Sequence, residues 1–167
     1  MNRKQKGFSL IELLIVVAII LIIAAIAIPN LMRAKMAANE SSAVGSLRTI
    51  TTAEVSYSTT YGTGYAPLAN LGGAAPCAAA AATACLIDNV LATGTKSGYT
   101  IATPLPAALG TLAAPNVAFV VNAVPIAPGQ SGQRSFCTDE SGVIRVDPTG
   151  ATVAATEAAC QALNALQ

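Results

Sequence analysis

A single carboxylate interrupts an otherwise apolar stretch near the start of the chain. The run from Phe8 to Ile28 is 21 residues long, and Glu12 is its only ionisable side chain. An acid at the middle of a membrane-spanning helix costs about 2.5–3.5 kcal/mol, although Glu12 lies near one end, where its carboxylate can lean toward the interface. If the helix leaves lipid and packs among other apolar helices, an unpaired charge becomes far more costly. Glu12 then needs a cation, and the sequence offers none between Phe8 and Met32.

The remaining reactive side chains exclude several classes of enzyme. Histidine is absent, so Ser-His-Asp and Cys-His nucleophile pairs and the commonest zinc ligand are unavailable. Only 10% of residues are charged and the net charge is +1, which predicts no specific nucleic-acid partner. The four cysteines form no CxxC pair, and an even number beyond a membrane segment predicts two disulfides in an oxidising compartment. These cysteines are Cys77, Cys85, Cys137 and Cys160.

The apolar run predicts a membrane-spanning helix. At about 1.5 Å per residue it is about 31 Å long, which matches the roughly 30 Å hydrocarbon layer of a bilayer. Arg3, Lys4 and Lys6 precede the run and hold the N-terminus in the cytoplasm. The run is longer than the apolar region of a secretory signal and is followed by Pro29, so cleavage at its far end is not expected. A plain single-pass anchor accounts for all of this except Glu12.

The helix is expected to continue past the membrane. Pro29 lacks an N–H and should kink or loosen it. Mostly apolar residues, with Glu54 among them, then recur at three- and four-residue steps from Val44 to Tyr61, so one helix from about Phe8 to about Thr60 presents a face to a globular domain.

An alanine-rich stretch separates Cys77 from Cys85. Eight helical residues would hold these cysteines about 12 Å apart, beyond the roughly 7 Å limit between the Cα atoms of a disulfide. Either the segment bends or these two cysteines do not pair with each other.

The second half of the chain predicts about four antiparallel strands. Alternating or β-branched residues mark them, and a turn at Asp139–Gly142 joins the last two as a hairpin. Packed on the long helix, they make an α+β fold. The predicted strands are Gly98–Thr103, Asn116–Ala123, Arg134–Thr138 and Val143–Val146.

The N-terminus resembles the class III signal of type IV prepilins and pseudopilins. The resemblance rests on a short basic leader ending in Gly7, on the Phe8-Ser-Leu-Ile-Glu12 that follows it, and on the apolar run that ends at Pro29. It implies cleavage between Gly7 and Phe8 by a prepilin peptidase, N-methylation of the Phe8 amine, and assembly roles for Glu12 and Pro29. In an assembled filament, Glu12 would pair with the Phe8 amine of a neighbouring subunit.

The remainder of the chain is similar in layout to the pilin head, in which a variable loop, a sheet and a disulfide-closed C-terminal loop follow the helix. This resemblance implies that Cys137 pairs with Cys160. Of the three ways to join four cysteines in two pairs, it therefore favours the one in which Cys77 pairs with Cys85. It divides the chain into a cleaved leader (1–7), a transmembrane and polymerisation helix (8–29), and the rest of the helix with a periplasmic or extracellular head (30–167).

The resemblance implies a structural subunit, the major pilin of a type IV pilus, with no enzymatic activity and no cofactor. Its partners would be like subunits, the prepilin peptidase and methyltransferase, an inner-membrane platform with motor ATPases, and the membrane itself. The precursor would be a single-pass inner-membrane protein and the product an extracellular filament. A type II secretion pseudopilin and a minor pilin that binds DNA or surfaces are the alternatives. Pseudopilins often bind calcium, but Asp139, Glu140 and Asp147 are expected to form a solvated turn and to hold no metal.

Overall fold

The computed structural model describes residues 9–150 and 154–166. Its contacts divide the chain into two compact units, with the boundary between Lys35 and Met36. Helix α1 runs from Leu10 to Tyr61 and includes Pro29. By length and composition, this one helix among the described residues is able to cross a membrane. The prediction of a single long N-terminal helix is confirmed.

Gly62 ends helix α1. The N–H of Gly62 donates to the carbonyl of Ser58 at 3.0 Å, and Gly62 has a φ of +68°. This left-handed conformation turns the chain out of the helix, and glycine adopts it without the steric cost that a side chain brings.

In the second unit, short helices and a sheet follow α1. The helices are α2 (Leu68–Leu71), α3 (Asn89–Ala92) and α4 (Glu157–Gln161). The strands are β1 (Thr95–Lys96), β2 (Tyr99–Leu105), β3 (Val120–Pro125), β4 (Ser135–Asp139), β5 (Arg145–Asp147) and β6 (Asn164–Ala165).

The six described strands form one antiparallel sheet in sequence order, β1 to β6. The antiparallel α+β architecture is confirmed, but the expected four strands are six. The four predicted strands correspond to β2–β5. The two additional strands lie at the edges and have two residues each, too few to show an alternating pattern.

The core of the second unit lies between α1 and one face of the sheet. From the helix, Leu47, Ile50 and Tyr57 are fully buried. These side chains recur at three- and seven-residue steps, so they share one helix face. Opposite them lie Tyr99, Ile101, Phe119, Val121, Ala123 and Phe136.

The other face of the sheet carries a smaller apolar cluster. Successive residues of a strand point to opposite faces, so Val120 lies on this side of β3 while Val121 faces the main core. The C-terminal segment covers the cluster, and the disulfide between Cys137 and Cys160 ties it to β4 with a Cα–Cα distance of 5.9 Å. The predicted disulfide in the C-terminal region is therefore confirmed.

The alanine-rich stretch bends instead of forming a helix. Backbone hydrogen bonds in both directions between Ala80 and Thr83 close a tight turn, at 3.0 and 2.9 Å. The turn brings the Cα atoms of Cys77 and Cys85 to 6.1 Å, and the two cysteines form a disulfide. Of the two possibilities left open by the sequence, the structure has the bent segment.

Candidate functional site

The described part of the first unit presents an uncovered apolar surface. Leu10 is 79% exposed, and none of the most apolar part of α1 is buried. Apolar area of this extent is unfavourable in water, so the segment needs lipid or other helices around it. Its exposed large side chains include Ile11, Leu13, Leu14, Ile15, Val16, Val17, Ile19, Ile20, Leu21, Ile22, Ile23, Ile26 and Ile28.

Glu12 lies in the first turn of α1. Its Oε2 accepts a hydrogen bond of 3.1 Å from the backbone N–H of Ser9, the residue just before the helix. This is one arm of a capping box, in which an acid three residues into a helix satisfies a free amide at its start. A carboxylate accepts several hydrogen bonds, so this contact leaves Glu12 able to receive a cation. Gly7 and Phe8 lie outside the described residues.

Pro29 lies inside α1. Because proline has no N–H, the carbonyl of Ala25 lacks its usual donor four residues later. The assembly role of Pro29 stays a prediction.

Glu40 joins α1 to the residues that precede β4. Its Oε1 accepts from the backbone N–H groups of Gln133 and Arg134 at 2.9 and 3.2 Å. Its Oε2 accepts from Nε and Nη2 of the Arg134 guanidinium at 2.9 and 2.7 Å. Burial alone would raise the pKa of Glu40, but these hydrogen bonds and the Arg134 charge outweigh it and lower that pKa. We call this arrangement the Glu40–Arg134 clamp.

Glu54 is the second acid of α1 that faces the head, and it has no cationic partner among the described residues. It is 0% exposed. Its Oε2 accepts a 2.9 Å hydrogen bond from the Ala66 N–H, whereas its Oε1 is buried and lacks a partner. Burial raises the pKa of Glu54 to about 7, against the hydrogen bond from Ala66, which lowers it.

The acids of the β4–β5 hairpin differ from the expected solvated turn. Asp139 and Asp147 are buried. Asp139 accepts hydrogen bonds from the Ser141 backbone and hydroxyl, and Asp147 accepts from Thr149, so both stabilise turns. Only Glu140 of the three is exposed. Within the described residues, no group of three or more acids or cysteines is placed to hold a metal ion.

The sequence interpretation missed the Glu40–Arg134 clamp, and it placed Glu54 on the face toward the globular domain without predicting a buried, unpaired acid there. Glu40 and Arg134 are 94 positions apart, and no local pattern connects them. The periodicity of the helix is sufficient to predict that Glu54 is buried, because it falls on the same helix face as Ile50 and Tyr57. An acid at a core position of an amphipathic helix is the signal that identifies it.

Comparisons with known proteins concern only part of the chain. Residues 2–28 match the family described as "Prokaryotic N-terminal methylation motif". The chain is similar to the type IV major pilin protein PilA of Myxococcus xanthus, with 48% identity over 56 residues, or 34% of this chain and 26% of that protein. It is similar to the type IV wide pilus major component PilA4 of Thermus thermophilus, with 62% identity over 39 residues, or 23% of this chain and 30% of that protein.

The matched region spans less than a third of either relative. No solved structure matches the chain. The family match covers Glu12 and the exposed apolar residues of α1 as far as Ile28. Residues 2–28 therefore carry a type IV prepilin motif.

Proposed function

We propose that this chain is a structural subunit of a type IV pilus, and specifically its major pilin. The observation that carries the proposal is the uncovered apolar part of α1 up to Ile28, which contains one acid, Glu12, and lies inside a prepilin motif. An enzyme needs reacting groups gathered at one place. A polymer subunit needs a surface that another copy covers, and the apolar segment is such a surface.

The proposed maturation begins at the membrane. The leader, residues 1–7, stays in the cytoplasm, where a prepilin peptidase cuts between Gly7 and Phe8 and a methyltransferase modifies the new Phe8 amine. The segment 8–29 remains in the inner membrane as a single span, with residues 30–167 on the periplasmic side. Assembly then moves the span from lipid into a bundle of like helices, and the head becomes extracellular.

Glu12 sets the register of this bundle in the proposal. Cleavage creates an ammonium group at Phe8, the cation that the apolar segment lacks. Because an unpaired charge in a low-dielectric bundle costs about 3–5 kcal/mol, subunits that place Glu12 beside a neighbour's Phe8 amine are strongly favoured. Within one helix the two groups lie one turn apart, so an intramolecular pair is the competing arrangement.

The transfer from lipid to a helix bundle exchanges one apolar environment for another, so its net free energy is small. Cytoplasmic motor ATPases acting through an inner-membrane platform are the partners that would drive it. Specific nucleic-acid binding is not part of the proposal.

Two alternatives share the N-terminal motif: a type II secretion pseudopilin and a minor pilin that binds DNA or surfaces. Both relatives are named as major components of type IV pili, which favours the major pilin for this chain.

Mass spectrometry of sheared surface fibres tests the proposal. We expect fibres by electron microscopy, with a peptide that begins at N-methylated Phe8 as their most abundant component. Fibres that lack this chain would contradict the proposal and favour the pseudopilin alternative. If this chain is only a minor share of the fibre protein, it is a minor pilin.

Two variants of Glu12 distinguish its hydrogen bond with Ser9 from the proposed ion pair with a neighbour's Phe8 amine. Glu12→Gln keeps an oxygen that accepts from Ser9 but removes the charge, whereas Glu12→Ala removes both. We expect both variants to insert and to lose the leader, and both to give few or no fibres. Abundant normal fibres from Glu12→Gln would refute the charge-pairing role.

A further inference from the structure

A groove opens on the head between α1 and the start of β4. It has a volume of about 330 Å³, and its apolar lining comes from Val44, Phe136 and Leu166. Gly45 also lines it, and a Cβ added there would meet nothing within 4 Å. The groove is therefore wide enough on its helix side to receive side chains from outside. We call it the α1–β4 groove.

The groove carries one unbalanced positive charge. Two arginines line it, Arg48 and Arg134, but the carboxylate of Glu40 already holds the Arg134 guanidinium. Arg48 is exposed, and in the part of the chain that the structure describes no carboxylate lies within ion-pair distance of it. A flexible cation beside an open apolar surface suits a partner that brings a carboxylate.

An excess of negative charge lies just beyond the other end of β4. Glu140 follows the strand, and Glu157 lies in the first turn of α4, which the Cys137–Cys160 disulfide ties to β4. Partial burial raises the pKa of Glu140, its own backbone N–H lowers it, and the neighbouring Glu157 and the charge of Asp139 raise it. A cation from outside would relieve the repulsion between these carboxylates.

We propose that the α1–β4 groove of one copy receives the Glu140–Glu157 acidic pair of a second copy, so that Arg48 meets the two carboxylates between subunits. This inference rests on the proposed function and names a head-to-head contact for it. Charge complementarity selects the occupant: an unpaired cation and a repelling acidic pair lie on two separate surfaces of a chain whose net charge is only +1.

The positions of the two surfaces determine the kind of assembly. Arg134 and Glu140 lie at opposite ends of β4, six residues apart, which is about 20 Å in an extended strand. One copy therefore offers its groove at one end of the strand and its acidic pair at the other. A contact between unlike surfaces of identical subunits does not end in a dimer, and it continues as a ring or a helical filament.

Photo-crosslinking in the full chain tests the contact. A small diazirine amino acid replaces Ser41, an exposed residue that lines the groove. After irradiation of cells, the reduced dimer band is digested with trypsin, which releases the peptides Met36–Arg48, Ser135–Arg145 and Val146–Gln167. We expect Met36–Arg48 joined to one of the other two peptides at Glu140 or Glu157, as located by fragmentation. A link at Phe136 or Leu166, which line the groove of the same copy, would not count as the contact.

Charge reversal provides the matched variants. Arg48→Glu should lower the yield of this dimer about tenfold, because attraction becomes repulsion. Adding Glu140→Lys and Glu157→Lys should restore it to within about twofold of the original. Thr49→Glu is the control: it adds an acid beside Arg48 at an exposed position outside the groove lining, and should leave the yield unchanged.

Fibre yield, measured in the same cells, separates this inference from the proposed function. The expected crosslink in membranes without surface fibres would support the contact and refute the pilus. Fibres with no dimer, or with a crosslink to another part of the chain, would overturn the contact while the pilus stands. A crosslink to nucleic acid or to an unrelated protein would overturn the contact, and the absence of both fibres and dimer would overturn both proposals.

Discussion

Replacing Glu54 with glutamine should remove a loss of stability that the head undergoes as the pH rises from acid to neutral. In the folded chain Glu54 is 0% exposed, and its pKa is about 7 rather than the usual 4.5. An unfolded chain releases this proton at the lower pH, so ionisation of the unfolded state weakens folding as the pH rises from about 4.5 to about 7. Below that window the carboxyl is neutral in both states and has no such effect.

The size of the effect follows from the difference between the two pKa values. At about 1.4 kcal/mol per pKa unit, the folded state loses about 3 kcal/mol between pH 4 and pH 8 through Glu54 alone. Glu54→Gln keeps an oxygen that accepts from Ala66 and cannot ionise. Its new amide group costs the same at every pH, because it does not titrate. The difference in stability between variant and original should therefore shift by about 3 kcal/mol in favour of the variant across this range.

Urea unfolding of the full chain in detergent micelles measures this difference, with disulfides intact and tyrosine fluorescence as the signal. Thr52→Gln, at an exposed position of the same helix, is the control for a new glutamine that changes no ionisable group. A stability difference between Glu54→Gln and the original that stays within about 0.5 kcal/mol from pH 4 to pH 8 would refute the assignment of a buried, ionisable Glu54.

Three further predictions concern the head and the leader. Arg134→Met should cost about 2 kcal/mol at pH 7 in urea unfolding, a value reduced by the partial exposure of the arginine. The cost should shrink in acid, as Glu40 becomes protonated. Because folding lowers the pKa of Glu40, its carboxylate stabilises the folded state above pH 4.5, and this contribution is lost as the pH falls through the pKa in the folded state. Equal costs at pH 3 and pH 7 would contradict this. Replacing both Cys137 and Cys160 with serine removes a crosslink over 23 positions and should cost about 3 kcal/mol; an unchanged urea midpoint would contradict the structural role of the bond. Gly7→Phe should leave the leader attached, because the protease needs close access to the bond; mass spectrometry showing a normal Phe8 N-terminus would disprove the cleavage assignment.

Local patterns in the sequence were sufficient to predict the helix and strands that have strong periodicity. The apolar run and the three- and four-residue spacing after it predict α1 to within a residue of its end at Tyr61. A β-branched run predicts β3, and the turn at Asp139–Gly142 predicts β4 and β5 as the two strands of a hairpin. A strand of two residues, such as β1, carries no period and was missed.

The features that the sequence did not predict depend on long-range contacts. Whether an acid is solvated depends on what folds over it, and Asp139 and Asp147 look like surface turn residues until the C-terminal segment and the hairpin are in place. The Glu40–Arg134 clamp likewise depends on a strand start being brought to a helix 94 positions earlier. In the candidate site, a local motif identified Glu12, whereas the groove around Arg48 required the tertiary structure.

The Glu40–Arg134 clamp also determines how the head bears a load. Glu40 lies in the second unit close to its first residue, Met36, so tension that enters along α1 reaches the clamp before the buried residues from Leu47 onward. Four hydrogen bonds hold one carboxylate there, two from backbone amides and two from a guanidinium, and sliding the helix along its axis must break them together. Bonds that yield together resist force better than bonds that yield in turn. Under such a pull, we expect the clamp to hold α1 in register with the sheet until all four hydrogen bonds break.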